Sequence, residues 1–144
     1  MDITQISVFL ENRPNRLQQV LKVLADADVN IQTLTIAEVK DFGIVRMIVN
    51  RPEAAYAALK ANHMTCSQTA VLAVAMDDAP GALHKLIAAF SGERQINIDY
   101  MYGFADQYGK RSIFIFRFED TERAKLALAE EGYTIMKRAD ILGE

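Results

Sequence analysis

With one cysteine, two histidines and no tryptophan in 144 residues, the chain lacks most of the groups that carry chemistry in small proteins. Cys66 alone can form neither an intramolecular disulfide nor a multi-cysteine metal site, and its isolation fits a reducing compartment. His63 and His84 are scattered and make no metal site and no nucleophile–base pair. No metal or cofactor is expected. Long apolar runs are missing too, since none approaches the ~20 residues of a membrane helix. Met1-Asp2-Ile3-Thr4 has no basic stretch leading into an apolar core, so no secretory signal is expected and the default location is cytoplasmic. Excess positive charge is also absent. A net charge of −3 argues against a nucleic-acid partner, which needs a clustered basic surface. Core material, by contrast, is ample: 51% of residues are hydrophobic and 24% charged, enough for one ordinary domain or two small ones.

Periodicity orders this material. Ile3 to Leu10 is apolar and β-prone, and Asn12 and Pro14 punctuate it. Leu17, Val20, Leu21 and Leu24 then mark one face of a helix. Ile31 to Val39 alternates as a strand, Asp41-Phe42-Gly43 reads as a hairpin turn, and Ile44 to Val49 is the next strand. Pro52 opens an alanine-rich helix to about Lys60, and Met64 to Thr69 reads as an edge strand.

The order β-α-β-β-α-β then repeats. Val71 to Met76 is a strand, and Leu83, Leu86, Ile87 and Phe90 restate the helical stripe of Leu17, Val20, Leu21 and Leu24 at a constant offset. Ile96 to Phe104, a loop at Asp106 to Lys110, a strand at Ser112 to Phe118, a helix from Thr121 to about Glu131 and a strand at Tyr133 to Met136 follow. Ile141-Leu142 is expected to dock the tail. Pro14 matches Pro80, Asn30-Ile31 matches Asn97-Ile98, Leu59 matches Leu128, and Thr65 matches Thr134. An internal duplication explains this, and it has to precede any fold assignment. The expectation is an α+β chain of two ferredoxin-like βαββαβ units, residues 1–70 and 71–144, each an antiparallel sheet with helices on one face. Val45, Met47 and Val49 alternate with Ile44, Arg46 and Ile48, and Phe114, Phe116 and Phe118 with Ile113, Ile115 and Arg117. Strands apolar on both faces are usually covered on both, so the sheets are expected to pair side by side and to bury a second copy in a homodimer.

Two strand-to-helix turns stand out, Asp77-Asp78-Ala79-Pro80-Gly81-Ala82-Leu83 and Glu11-Asn12-Arg13-Pro14-Asn15-Arg16-Leu17. If Pro80 and Pro14 take the first helical position, the caps are Ala79 and Arg13, neither a good side-chain cap. The following N–H groups would then stay available to a carboxylate. Asp77 and Asp78 disfavour a bare phosphate, whereas a zwitterion answers both signs of charge. A free amino acid is the ligand this predicts, against the simpler reading that Pro-Gly merely starts a helix cleanly.

The duplicated pattern, the turn Asp78-Ala79-Pro80-Gly81-Ala82-Leu83 and the later Asn97-Ile98 resemble the ACT domain family, small regulatory modules that bind amino acids. The resemblance spans essentially the whole chain as two tandem copies. It implies a ligand at the interface of the two units, contacting Asp78, Ala79, Pro80, Gly81, Ala82 and Leu83 or Asn12, Arg13, Pro14, Asn15, Arg16 and Leu17. Asn30, Ile31, Asn97 and Ile98 would lie nearby. The first copy departs from the motif, with Asn15 in place of the glycine and arginines flanking the proline. If only one turn anchors a ligand, the second is favoured. The resemblance further implies a sensor without catalysis that modulates an amino-acid-metabolism enzyme in trans. Alternatively, it is a subunit similar to the small subunit of acetolactate synthase, with empty turns.

Other features have plainer readings. Lys110 to Phe118 is similar to the RNA-binding strand of RRM domains, but the base-stacking positions hold Ile113 and Ile115. His84 is expected on a solvated helix surface or against a ligand, and His63 in a turn. Cys66 reads as a small buried side chain. Tyr100, Tyr102 and Phe104 read as packing or as a pocket wall. Asp77-Asp78 has no further carboxylates to complete a metal site. Arg13, Asn15 and Arg16 invite comparison with acylphosphatases, yet the glycine-rich first loop of those enzymes is missing. No catalytic constellation stands out.

Overall fold

The computed structural model describes residues 2–106 and 109–142, so part of the Asp106–Lys110 loop lies outside the described residues, as do Met1 and the last two positions. In chain order the elements are β1 (Ile3–Glu11), α1 (Arg16–Asp26), β2 (Ile31–Val39), β3 (Phe42–Val49), α2 (Pro52–Ala61), β4 (Thr65–Asp77), α3 (Ala82–Ala88), β5 (Ile98–Ala105), β6 (Arg111–Phe118), α4 (Thr121–Glu130) and α5 (Arg138–Leu142). A short 3₁₀ turn at Gly92–Arg94 lies between α3 and β5. Two compact units divide the chain: Thr4–Ala70, and Val71–Glu144 with the start of the chain through Ile3. The arrangement is α+β, two ferredoxin-like units in tandem.

In the unit Thr4–Ala70, β3 lies between β2 and β1, antiparallel to both, and β4 begins beside β1. The pairing Val8↔Val45 and Ile6↔Met47 puts those side chains on one face, where Val20 and Leu24 of α1 and Ala55 and Leu59 of α2 close a core that also takes in Cys66. This is the stripe expected from the helical periodicity. In the other unit, β6 lies between β4 and β5, antiparallel to both. Leu72, Val74, Phe116 and Phe118 pack there against Leu86 of α3, Phe90 just after it, and Ala124 and Leu128 of α4. The Phe90 and Phe118 rings meet at 4.8 Å between centroids. Each of the helices α1 to α4 buries its apolar face on its own sheet, and each unit has a separate core.

Several boundaries differ from expectation for identifiable reasons. The two short strands expected around residue 70 are one strand of 13 residues, because Thr69-Ala70-Val71 contains no turn former to break it. The expected closing strand at Tyr133–Met136 reduces to a single bridge, Val74↔Ile135, with the Met136 N–H donating to the Ala73 carbonyl at 2.8 Å. The first hairpin turns at Lys40 and Asp41, not at Asp41-Phe42-Gly43: Phe42 already pairs with Val39, and Lys40 takes the left-handed backbone at φ 55°. The tail forms the short helix α5. Pro52 opens α2 as its first residue, as expected, whereas α4 is capped by Asp120, whose carboxylate accepts from the Arg123 N–H at 3.2 Å. None of the helices among the described residues is long and apolar enough to cross a membrane.

Candidate functional site

The two strand-to-helix turns have the same backbone. In the first, the Arg13 N–H donates to Glu11 O (2.8 Å), Arg16 N–H to Arg13 O (3.4 Å) and Gln19 N–H to Asn15 O (3.1 Å). In the second, Ala79 donates to Asp77 O (3.0 Å), Ala82 to Ala79 O (3.1 Å) and Lys85 to Gly81 O (3.0 Å). Residue for residue, these are the same bonds. Asn15 (φ 76°, ψ −8°) and Gly81 (φ 84°, ψ −9°) are both left-handed. A proline followed by a residue near φ +80°, ψ 0° and closed by an i→i+3 bond is a type II turn.

This corrects the expected capping. The prolines are not the first helical residues. They are the second residues of the turns, and the N-caps are Asn15 and Gly81 in place of Arg13 and Ala79. The physical reason lies in the residue after each proline, because only glycine or asparagine readily adopts the left-handed position a type II turn demands. Neither cap makes a side-chain hydrogen bond. Among the described residues the N–H groups of Asn15, Leu17 and Gln18, and of Gly81, Leu83 and His84, have no acceptor. The Ala82 N–H, expected to be available, is spent in closing the turn. Helix α1 runs for 11 residues and α3 for only 7, so the first turn has the longer helix behind it.

The side chains around the turns differ. At the first, the Glu11 carboxylate accepts from Arg13 Nε at 2.7 Å and also pairs with the Arg13 Nη2, while Arg16 Nη2 stands 3.8 Å away. The Arg13 hydrogen bond, and then its charge, hold the Glu11 carboxyl below its ordinary range. At the second turn Asp77 and Asp78 are exposed and have no ion-pair partner among the described residues. Leu83 departs from the buried stripe and is 37% exposed, while Leu86 and Phe90 behind it are buried. His84 and His63 are exposed.

Of the sequence-derived residues, each turn is assembled as a unit, but Asn30-Ile31 and Asn97-Ile98 are not brought to the turn of their own unit. Ile31 pairs with Val49 at the end of β3 opposite to Phe42, which pairs with Glu11 beside the first turn. Ile98 pairs with Phe118, again at the far end from Asp77↔Arg111. At about 3.3 Å per residue these separations are roughly 23 Å. Asn30 instead closes its own strand end, its N–H donating to Asn50 Oδ1 at 2.8 Å.

The first turn borders a cavity of about 440 Å³ within the unit Thr4–Ala70. Val8 and Val20 form its buried floor and Leu10 and Met64 line it half-buried. Glu11 enters from the end of β1, Arg16 and Gln19 from α1, Asn62 and His63 from the loop after α2, and Thr65 from the start of β4. Apart from Glu11 and Arg16, sequence reasoning did not assign this polar rim to a site, because residues after α2 join it only through the fold. Among the described residues no group of three or more His, Cys, Asp or Glu is placed to hold a metal ion.

Comparison with known proteins places this geometry. A family model described as an ACT domain pair matches residues 1–142. A Bacteroides thetaiotaomicron protein of known crystal structure is 36% identical over 100% of this chain and 98% of that one, with a TM-score of 0.91. The regulatory subunit of aspartate kinase from Thermus thermophilus, in its ligand-free form, is 16% identical (92% and 94% covered, TM-score 0.66). That from Thermus flavus is 15% identical (90% and 92% covered, TM-score 0.62). At those identities the two subunits share the fold. No curated protein matches. Two ferredoxin-like units with one turn geometry written twice, matched by the pair model over nearly their whole length, make this chain a member of the ACT domain family.

Proposed function

We propose that this protein is a regulatory amino-acid sensor, which binds a free amino acid at its strand-to-helix turns and modulates an amino-acid-metabolism enzyme in trans without catalysing a reaction itself. The observation that carries the reading is the repeated type II turn, whose backbone leaves outward N–H groups at the start of α1 and of α3. Such donors suit a carboxylate, and the mixed charges beside them, Glu11 with two arginines and the Asp77-Asp78 pair, suit a zwitterion better than a simple anion. The fold is one that regulatory subunits of aspartate kinase also use, which supports action on a separate enzyme chain.

A thermal-shift panel of the twenty amino acids tests this. Binding to the folded state alone adds RT ln(1 + [L]/Kd), about 2.7 kcal/mol at a hundredfold excess over Kd. For a chain of this size that raises Tm by several degrees. At least one amino acid should do so, and Gly81→Asp together with Asn15→Asp should blunt the response. No shift with any of the twenty would refute ligand sensing and favour a regulatory subunit with empty turns.

A further inference from the structure

On the amino-acid-sensing reading, the cavity beside the first turn has a chemistry that selects among amino acids. Its floor is apolar and belongs to the core: Val8 is 1% and Val20 2% exposed. A charged ligand tail laid on that floor would lose its water and gain no partner. The rim is polar and carries both donors and acceptors. On the α1 side, Arg16 Nη1 donates to Gln19 Oε1 at 3.1 Å, and its Nη2 is 3.8 Å from Glu11, beyond hydrogen-bond distance. A guanidinium has five N–H donors in a fork that matches a carboxylate; Arg16 gives one to Gln19 and stands in ion-pair range of Glu11, which lines the same cavity, and its other N–H groups remain for a ligand. Asn62, also in the lining, donates its Nδ2 to Ala58 O at 2.8 Å, which fixes the amide and leaves Oδ1 as an acceptor. The Thr65 hydroxyl is a further acceptor in the lining. The volume, about 440 Å³, is inside the roughly 300–1,000 Å³ of small-molecule sites.

We infer that this cavity, lined by one unit alone, is a pocket for an α-amino acid with an apolar side chain, its carboxylate on Arg16, its ammonium toward the acceptors Glu11, Asn62 and Thr65, and its side chain on Val8 and Val20. The inference rests on the sensing reading, and its test separates the two. Methyl-labelled full-length protein is titrated with leucine, phenylalanine, aspartate and lysine, alongside the thermal-shift panel. Leucine or phenylalanine should move the Val8, Leu10, Val20 and Met64 methyl resonances, while aspartate and lysine leave them unchanged. Arg16→Gln, a change at a partly exposed side chain, should weaken binding about tenfold or more without altering the unliganded melting curve. An amino acid that binds but moves only the Leu83 and Ile87 methyls overturns the pocket and leaves the sensing reading standing. Equal binding of aspartate or lysine in the cavity overturns its selectivity, and unchanged affinity in Arg16→Gln overturns the carboxylate anchor. No binding by any of the twenty overturns both readings.

Discussion

Replacing Gly81 with alanine separates two geometries by the sign of its effect. If Pro80 were the first residue of α3, position 81 would be helical, and alanine would stabilise it by up to about 1 kcal/mol relative to glycine. In the observed turn Gly81 has φ 84°. A left-handed backbone costs a residue with a Cβ about 1–2 kcal/mol, and glycine's extra freedom in the unfolded chain offsets about 0.4–1 kcal/mol of that. Gly81→Ala should therefore destabilise by about 1 kcal/mol. Nothing lies within 4 Å of where the new Cβ would stand, so the whole effect is conformational. Gly81→Asn, which writes the first turn's residue into the second, should lose less than half as much, because asparagine tolerates this region. The mirror pair at Asn15 (φ 76°) follows: Asn15→Gly close to neutral, Asn15→Ala about 1 kcal/mol less stable. The chain has no tryptophan, so urea unfolding followed by far-UV circular dichroism is the assay. A loss of 1 kcal/mol corresponds to about 4–8 °C in Tm for a unit of this size. A stabilised Gly81→Ala, or equal losses for alanine and asparagine, would refute the type II assignment.

Gly103 is a glycine for the opposite reason. A Cβ there would stand 2.7 and 2.8 Å from two Phe114 ring carbons and 3.2 Å from Ile113 O, so Gly103→Ala should cost about 1–3 kcal/mol through overpacking. An unchanged urea midpoint would contradict it, and Phe114→Leu in the same chain should recover part of the loss. Glu11 gives a pH dependence. Its carboxyl is held below the ordinary value by Arg13, so its stabilising share is complete above the unfolded carboxylate range and is lost as pH falls through the lowered folded value. Carboxyl titration by NMR should show Glu11 rising toward 4.5 in Arg13→Ala, and an unmoved titration would dismiss the pairing. Cys66 is 6% exposed and burial pushes its thiol pKa up, Lys60 opposing only weakly. Its reaction with an aromatic disulfide reagent should be at least ~100-fold slower in the native protein than in urea, tracking opening of the core around it. Labelling at the rate of a free thiol would show that core to be open.

The long-range order was largely written in the sequence, because periodicity and duplication are repeated signals. Leu17, Val20 and Leu24 on one side and Leu86 and Phe90 on the other went where their spacing required. The errors arose where one local signal serves two geometries. A proline ahead of a helix suits either its first turn or the second place of a type II turn, and the following residue decides. Pro52 is followed by Glu53 and opens α2, while Pro14 and Pro80 are followed by Asn15 and Gly81, each able to turn left-handed. The merging of two strands into β4 has a comparable cause, since Ala70 has no turn chemistry to separate Thr69 from Val71. The cavity was beyond sequence reading for a different reason. Its lining comes from β1, β3, α1, the loop after α2 and the start of β4, and of its polar residues only Glu11 and Arg16 lie in the turn that drew notice as a ligand site.

Duplication has kept the backbone of the turn and let the side chains around it diverge. The type II geometry needs only a proline and a left-handed residue, so Asn15 and Gly81 satisfy it equally and the flanks are free to change. At the first turn two arginines face one glutamate, and at the second two exposed aspartates form no ion pair among the described residues, with one cation, Arg111, across the ladder from Asp77. A ligand carboxylate is therefore favoured at the first turn and repelled at the second, while an ammonium is favoured at the second. The glycine of the second turn makes the closer backbone approach, and that alone would point to Asp78–Leu83 as the anchor. Charge and volume point the other way: the first turn has two guanidinium groups against one carboxylate, and a cavity beside it lined by Arg16. A carboxylate gains more from a charge-assisted, bidentate contact than from amides flanked by two like charges. On the sensing reading, the asymmetry then assigns the halves different tasks, with the unit Thr4–Ala70 holding the amino acid by its carboxylate and side chain.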